Sequence, residues 1–319
     1  MSEYLIKSET LQDIANALRE KTGETGTFKV QDFATEIREI QSGGGDIDAL
    51  IEGTLTEVTS NVTSIGQYAF YYSDKLTSVN FPNVTSIGRS AFASCSLTTV
   101  DFPNATSIGD YAFAACRALK TVDFPLATST GNYSFNNCEN LTTANIPNAT
   151  SIGNSAFVAC RVLKTVNIPN ATSIGNSAFS GCNYGLKTVD FPNATSIGNS
   201  AFENCYSLTK LIIGTDNTTS PTLSNTNAFK NCYHITGTVN ASHNPEGLKD
   251  GYIYVKADMV AETRTKTNWV TYATQIMPWV ATVEELSNID GTTYDHACVG
   301  EGVDSIEYIY DGDSWRIFR

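Results

Sequence analysis

One motif returns about every 22 residues, and a chain with such a period folds by stacking similar coils. The segment around Ser64-Ile65-Gly66 recurs at Ser86, Ser107, Ser129, Ser151, Ser173 and Ser196, with spacings of 22, 21, 22, 22, 22 and 23 residues. A degenerate eighth copy stands at Asn227-Ala228-Phe229-Lys230-Asn231-Cys232.

One full unit runs from Leu97 to Cys116, and each part has a physical task. Leu97, Val100 and Phe102 have the spacing of a short strand with its apolar side inward. Pro103 lacks an N–H and ends that strand at a corner. Ser107-Ile108 gives a second short extended piece with Ile108 pointing in, and Gly109 permits the next bend. Phe113 and Cys116 are three apart, as on one face of a single helical turn. A coil of this kind buries its apolar edge only against a neighbour. At roughly 4.7–4.9 Å per strand, eight coils span about 35–40 Å.

The run Ile87-Gly88-Arg89-Ser90-Ala91-Phe92-Ala93-Ser94-Cys95, repeated at Ile152–Cys160 and Ile174–Cys182, resembles the BspA-type leucine-rich repeat. The resemblance covers about residues 50–280. It departs from the pattern at Ser73 for cysteine, Thr130 for isoleucine and Leu126 for asparagine. It implies a mostly β solenoid of about eight repeats of about 22 residues. It also implies a surface adhesion or interaction module with no catalytic machinery of its own.

The ends read differently. In residues 1–45, Leu11, Ile14, Ala15 and Leu18 have helical spacing, and Val30, Phe33, Ile37 and Ile40 mark a second helix. Ser42-Gly43-Gly44-Gly45 is a flexible joint. This region is either a helical hairpin that caps the solenoid or an attachment module using Leu11, Ile14, Leu18, Phe33 and Ile37. Residues 46–278 make the solenoid, closed by an atypical terminal coil that contains Tyr252–Val255, Trp269 and Tyr272. Residues 279–319 form a small C-terminal α+β module. It has a capping box at Thr282 and Glu285 and a hairpin with a two-residue turn at Asp311-Gly312. The stretches Leu11–Gly23, Val280–Leu286 and Tyr310–Trp315 resemble segments of structural proteins of tailed bacteriophages.

Charge and cysteine usage narrow the function classes. The net charge of −13 repels phosphate backbones and anionic lipid surfaces, so nucleic acid is not an expected partner. No stretch approaches the roughly 18 apolar residues needed to span a bilayer, so no membrane insertion is expected. The N-terminus lacks the basic-then-apolar pattern of a secretory signal. Seven of the eight cysteines recur once per repeat: Cys95, Cys116, Cys138, Cys160, Cys182, Cys205 and Cys232. A zinc site needs ligands converging on one point, whereas one cysteine per coil gives a row. Small buried thiols in a reduced protein are the main expectation, with disulfide pairing and metal as the alternatives.

The strand positions flanking the central apolar residue supply the candidate binding surface, a concave strand face. Thr99 and Asp101, Thr121 and Asp123, Thr143 and Asn145, Thr165 and Asn167, Thr188 and Asp190 form threonine and Asn/Asp columns. The neighbouring column varies and carries Lys120, Lys164 and Lys187. These columns either bind a glycan or protein or satisfy one another and keep the face wet. Asp101 and Asp123 fall on adjacent coils, where paired carboxylates serve acid–base chemistry or calcium. A flat face without a cleft disfavours both. Three scattered histidines, and the absence of G-x-S-x-G, P-loop and H-E-x-x-H motifs, leave no catalytic constellation, metal or cofactor to name. Asn104-Ala105-Thr106 and its copies match glycosylation acceptors but read better as corner residues.

The expectation is therefore a non-enzymatic virion structural protein in a tail tip, fibre or surface-decoration position. It would be held to other virion proteins by the N-terminal module and present the solenoid to a host-surface protein or glycan, either as a monomer or as a homo-oligomer. Assembly in the reducing host cytoplasm suits free thiols. The rival is a bacterial cell-surface adhesin of the same repeat family.

Overall fold

A computed structural model describes residues 56–318 apart from residues 60–61, 239, 244–245, 247–249, 301–304 and 311–312. The expected attachment residues Leu11, Ile14, Leu18, Phe33 and Ile37 lie outside the described residues.

The described chain is a stacked series of coils with two parallel strand ladders. One ladder comprises the three-residue strands such as Thr121–Asp123, Thr143–Asn145 and Thr165–Asn167, paired in register. The other is the two-residue Ser-Ile series, in register from Ser64-Ile65 through Ser107-Ile108 and from Ser151-Ile152 to Thr222-Leu223. The isoleucines of this series are buried, and so are Val122, Ala144 and Val166.

The core is columnar. Phe70, Phe92, Phe113, Phe135, Phe157, Phe179, Phe202 and Phe229 stack ring on ring, with centroids 5.1–5.6 Å apart. Phe81, Phe102 and Phe124 form a second stack at 5.9 and 6.0 Å. Offset parallel rings at this separation are attractive beyond the area they bury.

The segment expected as a helical turn is a run of β-turns instead. The N–H groups of Ala112, Ala114 and Cys116 bond back within the coil to Gly109, Tyr111 and Phe113. Those of Tyr111, Phe113 and Ala115 reach forward to Asn132, Ser134 and Asn136 of the next coil. Alternate residues thus serve alternate partners, which a helix forbids. The geometry needs left-handed backbone at Tyr111 and Ala115, both at φ 57°. The glycine at the bend has a different task from the one expected. A Cβ on Gly153 would lie 2.6 Å from the Gly131 carbonyl oxygen, so glycine is required there because adjacent coils touch.

The ladder also runs further than eight repeats. The strands Thr188–Phe191, Lys210–Ile213, Tyr252–Lys256, Ile276–Val280 and His296–Val299 are parallel neighbours in one sheet, giving about eleven rungs in all. Antiparallel strands Ile306–Tyr310 and Trp315–Ile317 complete it. The last rungs lack the repeat signature because each is closed by different structure: helix Val260–Thr265, a 3-10 segment Trp269–Gln275, and helix Val283–Leu286. Residue 278 falls inside the strand Ile276–Val280, so the sheet is continuous across that point. The Thr282–Glu285 cap forms, with Glu285 N donating to Thr282 Oγ1 at 3.3 Å. In the hairpin, Tyr310 pairs with Trp315, which encloses four residues rather than two.

Candidate functional site

The strand face assembles in register, as the period requires. Thr99, Thr121, Thr143 and Thr165 align in one column. Asn80 pairs with Asp101, and Asp123, Asn145 and Asn167 continue that line. Side chains link along it: Asn145 Nδ2 donates to Asp123 Oδ1 at 2.7 Å, and Asn167 Nδ2 to Asn145 Oδ1 at 2.6 Å. Part of the polarity is thus spent on mutual satisfaction, one of the two readings drawn from the sequence.

Lys120, Lys164 and Lys187 stand in the flanking column, which is otherwise filled by Thr77, Thr98, Thr142 and Thr209. Thr98, Thr142 and Thr209 donate Oγ1 to the carbonyls of Thr77, Lys120 and Lys187. The three lysines are exposed, and none makes an ion pair among the described residues. Lysine here gives up the ladder hydrogen bond that threonine makes and leaves a free cation on an acidic protein.

The open face has an end. Thr188 pairs with Lys210 and Asp190 with Ile212. Beyond them the outward column turns apolar and buried at Ile212, Tyr254 and Met277. The returning C-terminal segment covers it. Lys210 Nζ donates to the Ser305 carbonyl at 2.8 Å, Tyr254 OH donates to Glu307 Oε1 at 3.2 Å, and Cys298 Sγ donates to Ser305 Oγ at 3.1 Å. Burial pushes the Tyr254 phenol and the Cys298 thiol up.

The cysteine row is a buried column of free thiols. Each donates to the phenylalanine carbonyl of the preceding coil, from Cys95 to Phe70 at 2.9 Å through Cys232 to Phe202 at 3.0 Å. Burial raises the Cys116 thiol to about 12. It also raises those of Cys95, Cys138 and Cys160. These groups are hydrogen-bond donors of the core and not nucleophiles. The corner asparagines act likewise. Asn104 Nδ2 donates to the Pro82 carbonyl at 2.7 Å and Asn148 Nδ2 to the Pro125 carbonyl at 2.7 Å.

A second ordered surface, which the sequence reading passed over, lies on the turn side of the coils. The residue two after the glycine is Tyr111 and Tyr133 in two successive coils and serine in the next three. The Tyr111 and Tyr133 rings stack at 4.7 Å and 4°. Beside them Asp110, Asn132, Asn154 and Asn176 each accept, through Oδ1, a backbone N–H of the next coil at 2.7–2.8 Å. The recurrence of tyrosine at one repeat position was the available signal.

The family model for the BspA type leucine rich repeat region matches residues 53–161 and 150–250 in six copies. The chain belongs to this family. A leucine-rich repeat protein from Eubacterium ventriosum is 29% identical over 47% of this chain and 43% of its own, with a TM-score of 0.45. A leucine rich cell surface protein from Faecalibacterium prausnitzii is 26% identical over 57% of this chain and 59% of its own, with a TM-score of 0.38. A leucine rich repeat protein from T. pallidum is 24% identical over 48% of this chain and 78% of its own, with a TM-score of 0.42. The chain spans less than two thirds of the first two of these structures. No curated protein matches it.

Proposed function

We propose that this chain is a non-enzymatic interaction module displayed at a bacterial cell surface, with the open strand face engaging a protein or glycan. The observation that carries this reading is the solvent-facing register of Thr99–Asn167 with the unpaired lysines Lys120, Lys164 and Lys187 beside it. Membership of the BspA-type family supports it, since such repeats resemble adhesion modules. A face of this kind has no cleft to enclose a substrate, so it suits contact with a large surface better than turnover. The lysines stand beside Asp101, Asp123 and Asp190, so the face offers charges of both signs and suits a partner with mixed polar groups.

A second reading places the protein on a virion. The observation behind it is the likeness of Leu11–Gly23, Val280–Leu286 and Tyr310–Trp315 to phage structural segments. Under that reading the N-terminal segment joins other virion proteins and the same strand face meets the host.

The test of both is the triple variant Lys120→Glu, Lys164→Glu and Lys187→Glu, assayed for adherence of the purified protein to bacterial and host-cell surfaces. Loss of adherence with an unchanged melting temperature is the expected result. Unchanged adherence overturns the strand-face assignment. Antibody labelling of cells against purified particles from the same culture then separates the two locations.

A further inference from the structure

We infer that the turn side of the solenoid carries a binding slot for a pyranose ring of a neutral saccharide, on the open face of Tyr133 above Ser155. This site lies on another face from the strand columns and does not depend on their reading.

The slot follows from the periodicity of the coils. Arg89, Tyr111 and Tyr133 form a graded stack: the Arg89 guanidinium lies 5.2 Å from the Tyr111 ring centroid, and Tyr111 lies 4.7 Å from Tyr133. The tyrosine spacing equals the roughly 4.7–4.9 Å rise of one rung, so the rings sit one per coil. The next rung offers Ser155 where a third ring would stand, at the same left-handed backbone, φ 54° against 57° at Tyr133. Further up, Arg89 fills the corresponding space above Ser90. At Ser155 the equivalent neighbour is Asn154, too short to do so. Tyr133 is 36% exposed and has Tyr111 as its one ring partner among the described residues. Ser155 forms the floor at 8% exposure, and its hydroxyl has no partner among the described residues.

The flanking chemistry selects the occupant. An open aromatic face takes either a cation or the C–H face of a sugar. The Oδ1 atoms of Asn132, Asn154 and Asn176 are already engaged by backbone N–H groups. Their Nδ2 protons are what remains to be paired, one amide per rung. A guanidinium brings only donors, so it cannot pair with that row of amide protons. Saccharide hydroxyls accept as well as donate, and they match a row of amide protons. The net charge of −13 disfavours an anionic sugar.

The probe is a panel of neutral tetrasaccharides built from glucose, mannose, galactose, xylose and N-acetylhexosamine, read by saturation-transfer NMR on the full chain. At least one should bind, with transfer into the tyrosine-facing ring protons. Tyr133→Ala should weaken binding by about tenfold or more, the loss of one stacking partner with its buried area. Ser155→Tyr fills the slot with the residue that neighbouring coils already carry there, so it should abolish binding and leave the melting temperature unchanged or higher. Three results overturn the inference: no binding across the panel, binding that survives Ser155→Tyr, or selective binding of an arginine-bearing peptide in place of any sugar.

Discussion

Ser134 stands where the other coils place Ala69, Ala91, Ala112, Ala156, Ala178, Ala201 and Ala228. It is fully buried, and its hydroxyl has no hydrogen-bond partner among the described residues. Burying an unpaired hydroxyl costs about 1–3 kcal/mol. Ser134→Ala removes the hydroxyl without opening a cavity, so it should stabilise by about 1–2 kcal/mol, read as a higher midpoint in urea at constant slope. A neutral or destabilising result would mean that a water pairs with the hydroxyl. Thr130 makes the contrast. It replaces a buried isoleucine, but its Oγ1 accepts the Gly153 N–H at 2.9 Å, so the polarity is satisfied in place. Leu126, exposed at a corner, lacks the amide with which Asn104 and Asn148 reach the coil before them. Each of these departures was visible as a break in the repeat. Which were tolerated by a new hydrogen bond and which were merely endured was not visible, because the partner sits one whole coil away.

At the scale of the element, the cysteine–phenylalanine ladder sets a pH limit. The Phe113 carbonyl accepts both the Cys116 N–H of its own coil and the Cys138 thiol of the next, at 3.2 Å each. Burial raises the folded thiols above the unfolded value of about 8.5. The folded state then keeps protons that the unfolded chain releases. The thiol contribution is therefore fully present below about pH 8. It is lost as pH rises from there towards the folded value, about 12 at Cys116. Each such thiol steepens the fall by up to about 1.4 kcal/mol per pH unit. Urea midpoints measured from pH 7 to 11 should drop steeply, and Cys160→Ser, whose hydroxyl can still donate to the Phe135 carbonyl, should make the drop shallower. A flat profile would place the thiols in contact with solvent. The inward strand, the proline corner and the cysteine column were all legible from spacing. The turn segment was not, because left-handed backbone is normally signalled by glycine. Here Tyr111, Ala115, Ser155 and Ala159 adopt it, held by the coil stacked above them. An i, i+3 pair of buried residues fits a β-turn run as well as a helix.

The whole molecule is a nearly one-dimensional object, and its ends decide how it fails. The period ends at Cys232, yet the ladder continues to His296–Val299; the closing strand at Tyr252–Val255 was legible, but no pattern announced the rungs Ile276–Val280 and His296–Val299, because each is built once. The phenylalanine stack ends against Trp269 and Tyr272, at 6.2 Å and 5.1 Å from Phe229. Trp269 is fully buried and donates Nε1 to the Pro221 carbonyl at 2.9 Å, while Tyr272 donates its hydroxyl to the Thr226 carbonyl. These two rings shield the last open face of the core. Trp269→Ala should cost about 3–5 kcal/mol at that end, as for other buried large aromatics. Stability in a stacked array is a sum of coil and neighbour terms, so the loss should stay local. Hydrogen exchange should rise in the coils around Phe202 and Phe229 and in the strands Tyr252–Lys256 and Ile276–Val280. The coils from Phe92 to Phe157 should keep their protection. Exchange that rises equally along the whole chain would mean that the coils unfold as one unit, and the closing rings would then stabilise every rung at once.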